Sequence, residues 1–155
     1  MKSLQQEIQQ TRPFDSRETE AYLNLVRTHE TVMRPVSQFF REFGLTQTLY
    51  NVLRIIRGGG DQGVTCTQIG ERIITRVPDV TRLVDRLTMA KLVRRVRNKD
   101  DRRVVELFLT AKGTALLKKM DAPLTSLHQE NFSHMNEREL STLIRLLTKM
   151  RQGFS

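Results

Sequence analysis

The chain has 155 residues, of which 38% are apolar and 28% charged, a balance typical of one globular domain with a hydrophobic core. No apolar run is long enough to span a bilayer, the N-terminal segment lacks the apolar stretch of a secretory signal, and the one cysteine, Cys66, excludes an intramolecular disulfide framework. These features predict a cytoplasmic protein.

Charge is unevenly distributed along the chain. Lys and Arg number 26 against 17 Asp and Glu, which gives a net charge of +9. Residues 76–103 contain ten basic and four acidic residues, so about two thirds of the excess lies there. Such a concentration of positive charge favours a polyanionic partner or an acidic membrane surface.

The first predicted element is a long helix over residues 15–43, where apolar residues recur three and four positions apart. Asp15 and Glu18 have the spacing of a capping box at its start. Pro35 predicts a kink, and Gly44 is expected to end the helix. A second helix is then predicted to begin at a threonine cap and to end at the glycine-rich segment 58–63; its cap and apolar stripe are Thr46, Leu49, Val52, Leu53 and Ile56.

Residues 64–91 predict two short helices joined by a tight turn, which is the helix-turn-helix pattern. Thr65 and Gln68 have capping-box spacing, and Pro78 is expected to occupy the first turn of the second helix, where its missing N–H costs nothing. The first helix is predicted to bury Ile69, Ile73 and Ile74. The second is predicted to bury Val80, Leu83, Val84 and Leu87.

Alternating, β-branched residues then predict a hairpin, with strands at 93–97 and 104–109 and a basic tip at 98–103. Thr110 begins a helix that is expected to continue past Pro123 with a kink. Asn136 and Glu139 cap the last helix, whose apolar stripe is Leu140, Leu143, Ile144, Leu147 and Met150. The first and last helices have more apolar surface than one small chain can bury, which favours a second copy as partner.

Three stretches, LTQTLYNVLRII, CTQIGERI and VTRLVDRLTMAKLVRRVRNKDDRRVVELFLTAKGTALL, together resemble the MarR (multiple antibiotic resistance regulator) family of winged helix-turn-helix regulators. The resemblance implies a mainly α fold with a small β-hairpin wing, formed by a single domain over residues 1–155. Within it, residues 45–110 are expected to form the DNA-binding module, and residues 15–43 and 111–152 the helical dimerisation region. It further implies a homodimer that binds a pseudo-palindromic site on double-stranded DNA and represses transcription. No cofactor is expected.

The resemblance places the helix at 78–91 in the major groove and the hairpin tip at the minor groove. Arg82 is expected to contact guanine O6 and N7. Asp79 is expected either to accept a hydrogen bond from a cytosine amine or to orient a neighbouring arginine, and the second role is favoured. Arg86 is expected to contact a phosphate or to pair with Asp85. The predicted major-groove residues are Arg76, Pro78, Asp79, Thr81, Arg82 and Arg86. The predicted wing residues are Arg97, Lys99, Asp101, Arg102 and Arg103. Of Arg94 and Arg95, one is expected to face solvent or phosphate and the other to pack locally.

The resemblance also implies a pocket for a small aromatic ligand between the dimerisation region and the winged module. The candidates on the corresponding helices are Tyr22, His29, Phe40, Phe43 and Tyr50. Ordinary core or dimer packing explains each of them better than ligand binding does.

Other functions are considered from the same residues. Cys66 suggests redox sensing, although a small buried hydrophobe explains it better. His29, His128 and His134 suggest a metal-responsive regulator, but their spacing is not that of metal ligands. A winged-helix module that binds protein instead of DNA normally lacks so basic a hairpin. No nucleophile with a base, and no carboxylate pair, indicates an enzyme.

Overall fold

The computed structural model describes residues 2–154. Its elements in chain order are α1 (Leu4–Glu7), α2 (Arg17–Glu42), α3 (Gln47–Gly58), α4 (Cys66–Arg72), α5 (Val80–Met89), β1 (Val93–Arg97), β2 (Val105–Leu109), α6 (Ala111–Asn131) and α7 (Glu137–Gln152). A short 3₁₀ turn, Gly60–Gln62, follows α3. The predicted mainly α architecture with one hairpin is confirmed.

Side-chain caps determine where the helices begin. Hydroxyl or amide oxygens accept the backbone N–H three residues on at four predicted caps, namely Thr46, Thr65, Thr110 and Asn136. The start of α2 differs from the prediction, because Ser16 rather than Asp15 accepts the N–H of Thr19. The hydroxyl of Ser16 can make this bond only when Ser16 itself is the N-cap, so the helix begins one residue after it.

Both long helices continue through their prolines, α2 through Pro35 and α6 through Pro123. Gly44 follows α2 with a φ of +68°, a conformation that favours glycine, and the predicted end of this helix is thereby confirmed. The short helix α1 has no counterpart in the sequence-based prediction. Ser3 and Gln6 form a capping box at its start, and Leu4 is buried.

The buried apolar side chains other than Leu4 form one continuous cluster that extends from α2 to α6. Val36 and Phe40 of α2 meet the apolar face of α3, and Leu117 and Met120 of α6 join the same cluster. The helix-turn-helix elements α4 and α5 add residues such as Ile69, Val84 and Leu87. α7 contributes no buried residue. The winged module and the helices on either side of it therefore share a core, which α7 only flanks.

Two details of the helix-turn-helix differ from the prediction. The helix α4 ends at Arg72, so Ile73 lies just beyond it and is buried, whereas Ile74 is 80% exposed and not internal. Pro78 lies outside α5, because the carboxylate of Asp79 accepts the N–H of Arg82 and makes Asp79 the N-cap. Val77 has no side-chain acceptor and could not have capped a helix that began at Pro78.

The hairpin is antiparallel, and its register pairs Val93 with Leu109 and Arg97 with Val105. Val64 adds one bridge to Leu107 on the other side of β2. Gly63, with a φ of +67°, approaches the ring of Phe108 so closely that a Cβ atom there would lie 2.7 Å from it. This approach fixes the chain before α4 against the base of the hairpin.

Candidate nucleic-acid interface

The helix α5 has one buried and one exposed side. Val84 and Leu87 are buried, and Val80 and Leu83 pack against the same core. The opposite side carries exposed polar residues near the N-terminus of the helix. We call this set the reading face: Arg76, Pro78, Asp79, Thr81, Arg82 and Arg86.

Asp79 holds Arg82 in two ways. One carboxylate oxygen, Oδ1, accepts the backbone N–H of Arg82 at 3.1 Å. The other, Oδ2, lies 3.5 Å from Nε of the same residue. The Arg82 side chain is still 87% exposed, and no other acidic group in residues 2–154 forms an ion pair with it. The geometry fits the prediction that Asp79 orients Arg82, since the ion pair is made through Nε and not through the terminal nitrogens that form a bidentate contact to guanine.

A second carboxylate connects α5 to the hairpin. Asp85 accepts a hydrogen bond of 2.5 Å from Nη2 of Arg95 on β1. The alternative in which Asp85 pairs with Arg86 is therefore wrong. Arg86 is exposed and forms no ion pair within the described residues, so it is available to a phosphate.

Arg94 and Arg95 are both exposed, and both also contact a neighbouring side chain, whereas the expectation gave a local contact to only one of them. The Arg94 guanidinium lies over the Phe108 ring, 4.5 Å from its centroid, and Arg95 pairs with Asp85. Because Gly63 contacts Phe108 as well, these side chains fasten the hairpin to the rest of the module.

The hairpin tip, residues 98–103, is held by side-chain to backbone hydrogen bonds. Oδ1 of Asn98 accepts the N–H groups of Asp100 at 2.8 Å and Asp101 at 2.9 Å. Oδ1 of Asp101 then accepts the N–H of Arg103 at 2.9 Å. Asp101 is thus a turn-forming residue whose carboxylate is already engaged. The sequence analysis gives Asn98 no role, although Asn is a common turn residue because its side chain can bond to the backbone two residues on.

Four basic side chains at and beside the hairpin tip are exposed and free of ion pairs in the described part of the chain. They are Arg97, Lys99, Arg102 and Arg103. Arg76, in the turn before α5, and Arg82 and Arg86, on α5 itself, are likewise exposed. A surface of this kind can bind phosphates through the hairpin while a helix end approaches the edges of the bases.

Cys66 lies at the start of α4, half-buried beside the hydroxyl of Thr81. Burial raises the pKa of the Cys66 thiol, and the nearby Arg95 only partly opposes that effect. A raised pKa lowers the fraction of the reactive thiolate. The half-buried thiol therefore serves as a packing group. It lies next to Thr81, a residue of the reading face.

Only two of the five predicted ligand-pocket residues line one cavity. Phe40 and Tyr50 stack with ring centroids 4.9 Å apart and line a cavity of about 150 Å³ with Asn51, Ile73 and His128. His29 lies on a different surface, a groove between α2 and α7. Phe43 packs against Phe39, and Tyr22 is 60% exposed.

Among residues 2–154, no three His, Cys, Asp or Glu side chains converge in a way that could hold a metal ion. No helix in that range is long and apolar enough to cross a membrane.

A helix-turn-helix whose second helix has an exposed polar N-terminal face, followed by a basic hairpin, defines a winged helix-turn-helix DNA-binding protein. Residues 45–105 match the model of the MarR family. The crystal structure of a MarR transcription factor from Planctomyces limnophilus is 40% identical in sequence, with 88% of this chain and 98% of that one covered and a TM-score of 0.67. The chain belongs to the MarR family and is a DNA-binding transcriptional regulator.

Two further relatives support this assignment. The MepR–DNA complex of S. aureus has a TM-score of 0.75 at 25% identity and covers 86% of this chain and 96% of that one. The transcriptional regulator MhqR of Bacillus subtilis is 26% identical over 129 residues, which is 83% of this chain and 88% of that protein. The relatives named here are transcriptional regulators, and one of them is seen bound to DNA.

Proposed function

We propose that this regulator acts as a homodimer that reads a pseudo-palindromic operator, with one reading face and one hairpin on each half-site. The observation that carries the proposal is the exposed, oriented Arg82 beside a hairpin with four basic side chains that lack ion pairs in the described chain. Arg82 supplies base contacts, and Arg97, Lys99, Arg102 and Arg103 supply phosphate or minor-groove contacts. The same proposal assigns residues 45–110 to DNA binding and residues 15–43 and 111–152 to dimerisation.

The apolar groove between α2 and α7 supports the proposal of a dimer. It has a volume of about 550 Å³ and is lined by Leu25, Val32, Met33, Phe132, Leu143, Leu146, Leu147 and Met150, among others. Several of these apolar side chains are substantially exposed in the single chain, Leu146 at 50% and Met150 at 44%. An exposed apolar surface of this size is characteristic of an interface, and a second copy of the chain offers the same surface in return.

The dimer is tested by placing a charge in the groove. Because α7 contributes nothing to the buried core, Leu146→Glu is expected to leave the single chain folded and to prevent dimerisation. Ser141→Glu, on the opposite side of α7, is the matched control and is expected to remain dimeric. Light scattering after size exclusion gives the mass of each variant. A fully dimeric Leu146→Glu protein would exclude the groove as the interface, and truncation after Asn136 checks the same conclusion by removing α7.

Operator binding is tested by its dependence on salt. If each half of the dimer neutralises about three to five phosphates, log K falls against log salt with a slope of about −5 to −9. The double reversal Arg102→Glu with Arg103→Glu is expected to abolish binding. Arg145→Glu with Lys149→Glu has the same change in charge on α7 and is the control. A slope near zero, or binding that survives the reversal, would favour a protein-interaction module.

The proposal also includes repression of transcription, and release of the operator DNA when a small aromatic effector binds. The Phe40–Tyr50 cavity is the proposed effector site, because it is mostly apolar, adjoins His128, and is walled by both α2 and the helix-turn-helix. A planar aromatic compound that binds there is expected to quench Tyr50 fluorescence and to release operator DNA. We assign no catalytic activity and no cofactor, and, because the partner is DNA, we place the protein in the cytoplasm. A promoter reporter distinguishes repression from activation.

A further inference from the structure

The segment that joins α4 to α5, residues 73–79, carries half of the reading face. We call it the inter-helix turn. It contains Arg76, Pro78 and Asp79, and Asp79 in turn orients Arg82. Any movement of this turn therefore displaces the cap of α5 and the arginine that depends on it.

Few interactions hold the inter-helix turn in place. Ile73 is buried and Val77 packs against the core, but Ile74 is 80% exposed. The N–H of Ile73 still bonds to Ile69 at the end of α4. Beyond it, the described residues provide one hydrogen bond to the backbone of residues 74–78, and its acceptor is a side chain: the N–H of Ile74 donates to Oδ1 of Asn51 at 3.0 Å.

The acceptor belongs to a rigid helix. Asn51 lies on α3, and the residues on both sides of it, Tyr50 and Val52, are buried in the core. Asn is a poor residue for a helix interior because its side chain competes for backbone hydrogen bonds. Here the Asn51 side chain does not bond to its own helix but accepts the N–H of Ile74, 23 positions away. The position of this amide is thus determined by α3, and the amide fixes the turn together with the packing of Ile73 and Val77.

We propose that Asn51 is a positioning residue for operator recognition: it fixes the inter-helix turn so that the reading face is preformed before DNA is met. This inference rests on the proposed function, in which the reading face contacts bases. The acceptor oxygen of Asn51 does not need to touch DNA for this role. Non-specific binding depends on phosphate contacts from the exposed basic side chains, so it does not require the turn to be fixed.

The loss of this hydrogen bond has a defined effect on affinity. When the turn samples several conformations, only the fraction with the competent arrangement binds the operator, and the apparent affinity falls by that fraction. One hydrogen bond of ordinary net strength corresponds to about a fivefold change at 25 °C. We therefore expect about a fivefold loss of affinity for the operator and little change for unrelated duplex.

The experiment uses the full chain and three variants. Asn51→Leu keeps the size of the side chain and removes the acceptor, whereas Asn51→Asp keeps an acceptor oxygen. Gln47→Leu removes another amide from the same helix and the same cavity wall, and it is the matched control. Fluorescence anisotropy at one salt concentration measures the affinity for a duplex selected by the wild-type protein and for a scrambled duplex of equal length.

We expect the ratio of the two affinities to fall about fivefold for Asn51→Leu and to stay within about twofold of wild type for the other two variants. The added charge of Asn51→Asp lowers both affinities but not their ratio. An unchanged ratio for Asn51→Leu, or an equal loss on both duplexes, overturns the inference. If the wild-type protein itself fails to distinguish the duplexes, the proposed function fails instead.

Hydrogen exchange gives a readout that does not depend on any variant folding. In the wild-type protein the amide of Ile74 is expected to exchange more slowly than those of Thr75 and Arg76, because it alone of the three donates to Asn51. Asn51→Leu is expected to remove this protection and Asn51→Asp to retain it. An Ile74 amide that exchanges as fast as its neighbours in the wild-type protein overturns the inference.

Discussion

Gly113 tests the junction between the hairpin and α6, because two physical effects predict opposite results for its replacement by alanine. It is the third residue of α6, and its N–H donates to Oγ1 of the cap Thr110 at 3.0 Å. Helix propensity favours alanine over glycine by about 1 kcal/mol. A Cβ atom at position 113, however, would lie 2.2 Å from the carbonyl oxygen of Leu92. That oxygen is backbone and also accepts the N–H of Thr110 at 3.0 Å.

The clash outweighs the propensity. The start of α6 must move by about 1 Å to relieve it, and overpacking of this kind costs about 1–3 kcal/mol. Displacement of the Thr110 cap lowers the free energy of unfolding by about 1 kcal/mol more. Set against the propensity gain, Gly113→Ala is expected to destabilise the protein by about 1–3 kcal/mol, a fall in Tm of roughly 3–10 °C for a chain of this size.

The control is Gly58→Ala. Gly58 is the last residue of α3, and a Cβ atom there would have no neighbour within 4 Å. Alanine is expected to leave the stability unchanged or to raise it by up to about 1 kcal/mol. Thermal unfolding followed by circular dichroism, at equal protein concentrations, compares both variants with wild type. A Gly113→Ala protein as stable as wild type would show that the close approach to Leu92 does not restrict this junction.

Four further predictions concern single side chains. Arg82→Ala is expected to lose about 1–3 kcal/mol on the operator and to relax base preference at one position per half-site, measured by selection from randomised DNA. Arg103→Ala is expected to weaken operator and unrelated duplex more evenly, with any lost preference being for A·T-rich flanks. The hydrogen-bonded ion pair with Arg57 lowers the pKa of Asp121. Wild type should therefore exceed Asp121→Asn in stability by about 0.5–1 kcal/mol above about pH 5, and this advantage should fall as the pH drops below the ordinary Asp pKa and the carboxylate is protonated. Urea titrations at several pH values measure the difference. Burial raises the pKa of Cys66, so its thiol is expected to react with a thiol reagent more slowly in the folded protein than in the urea-unfolded protein. Equal reaction rates at pH 8 would contradict the assignment of Cys66 as a half-buried packing residue.

The sequence predicts those features that depend on residues close together in the chain. Thr46, Thr65 and Asn136 were identified as caps because the cap and the N–H it accepts are three positions apart. The apolar stripe of α5 followed from its period for the same reason. The predicted helix boundaries are wrong by one or two positions where neighbouring residues can both begin a helix. At the start of α5, Pro78 is predicted in the first turn, but Asp79 is the N-cap.

The partners of the charged residues could not be predicted in the same way. Asp85 was given Arg86 as a possible partner because the two are adjacent, yet its partner is Arg95. Adjacent residues on a helix point in different directions, whereas β1 returns alongside α5 and presents Arg95 to it. The bond between Asn51 and Ile74 has the same origin, since it depends on how α3 and the inter-helix turn pack and not on any sequence period.

The shared core has a consequence for the geometry of the operator. Val36 and Phe40 of α2 and Leu117 of α6 belong to the same buried cluster as the helix-turn-helix, so these two proposed dimerisation helices and the reading face are joined through one packed core, which α7 only flanks. In the proposed dimer, this core holds the two reading faces at a set separation. One inserted base pair would carry a half-site about 3.4 Å along the duplex and rotate it by about 35°, since B-DNA completes a turn in about 10 base pairs. A rigid dimer can follow that rotation only by twisting the DNA, so spacing becomes as much a part of the operator as its bases.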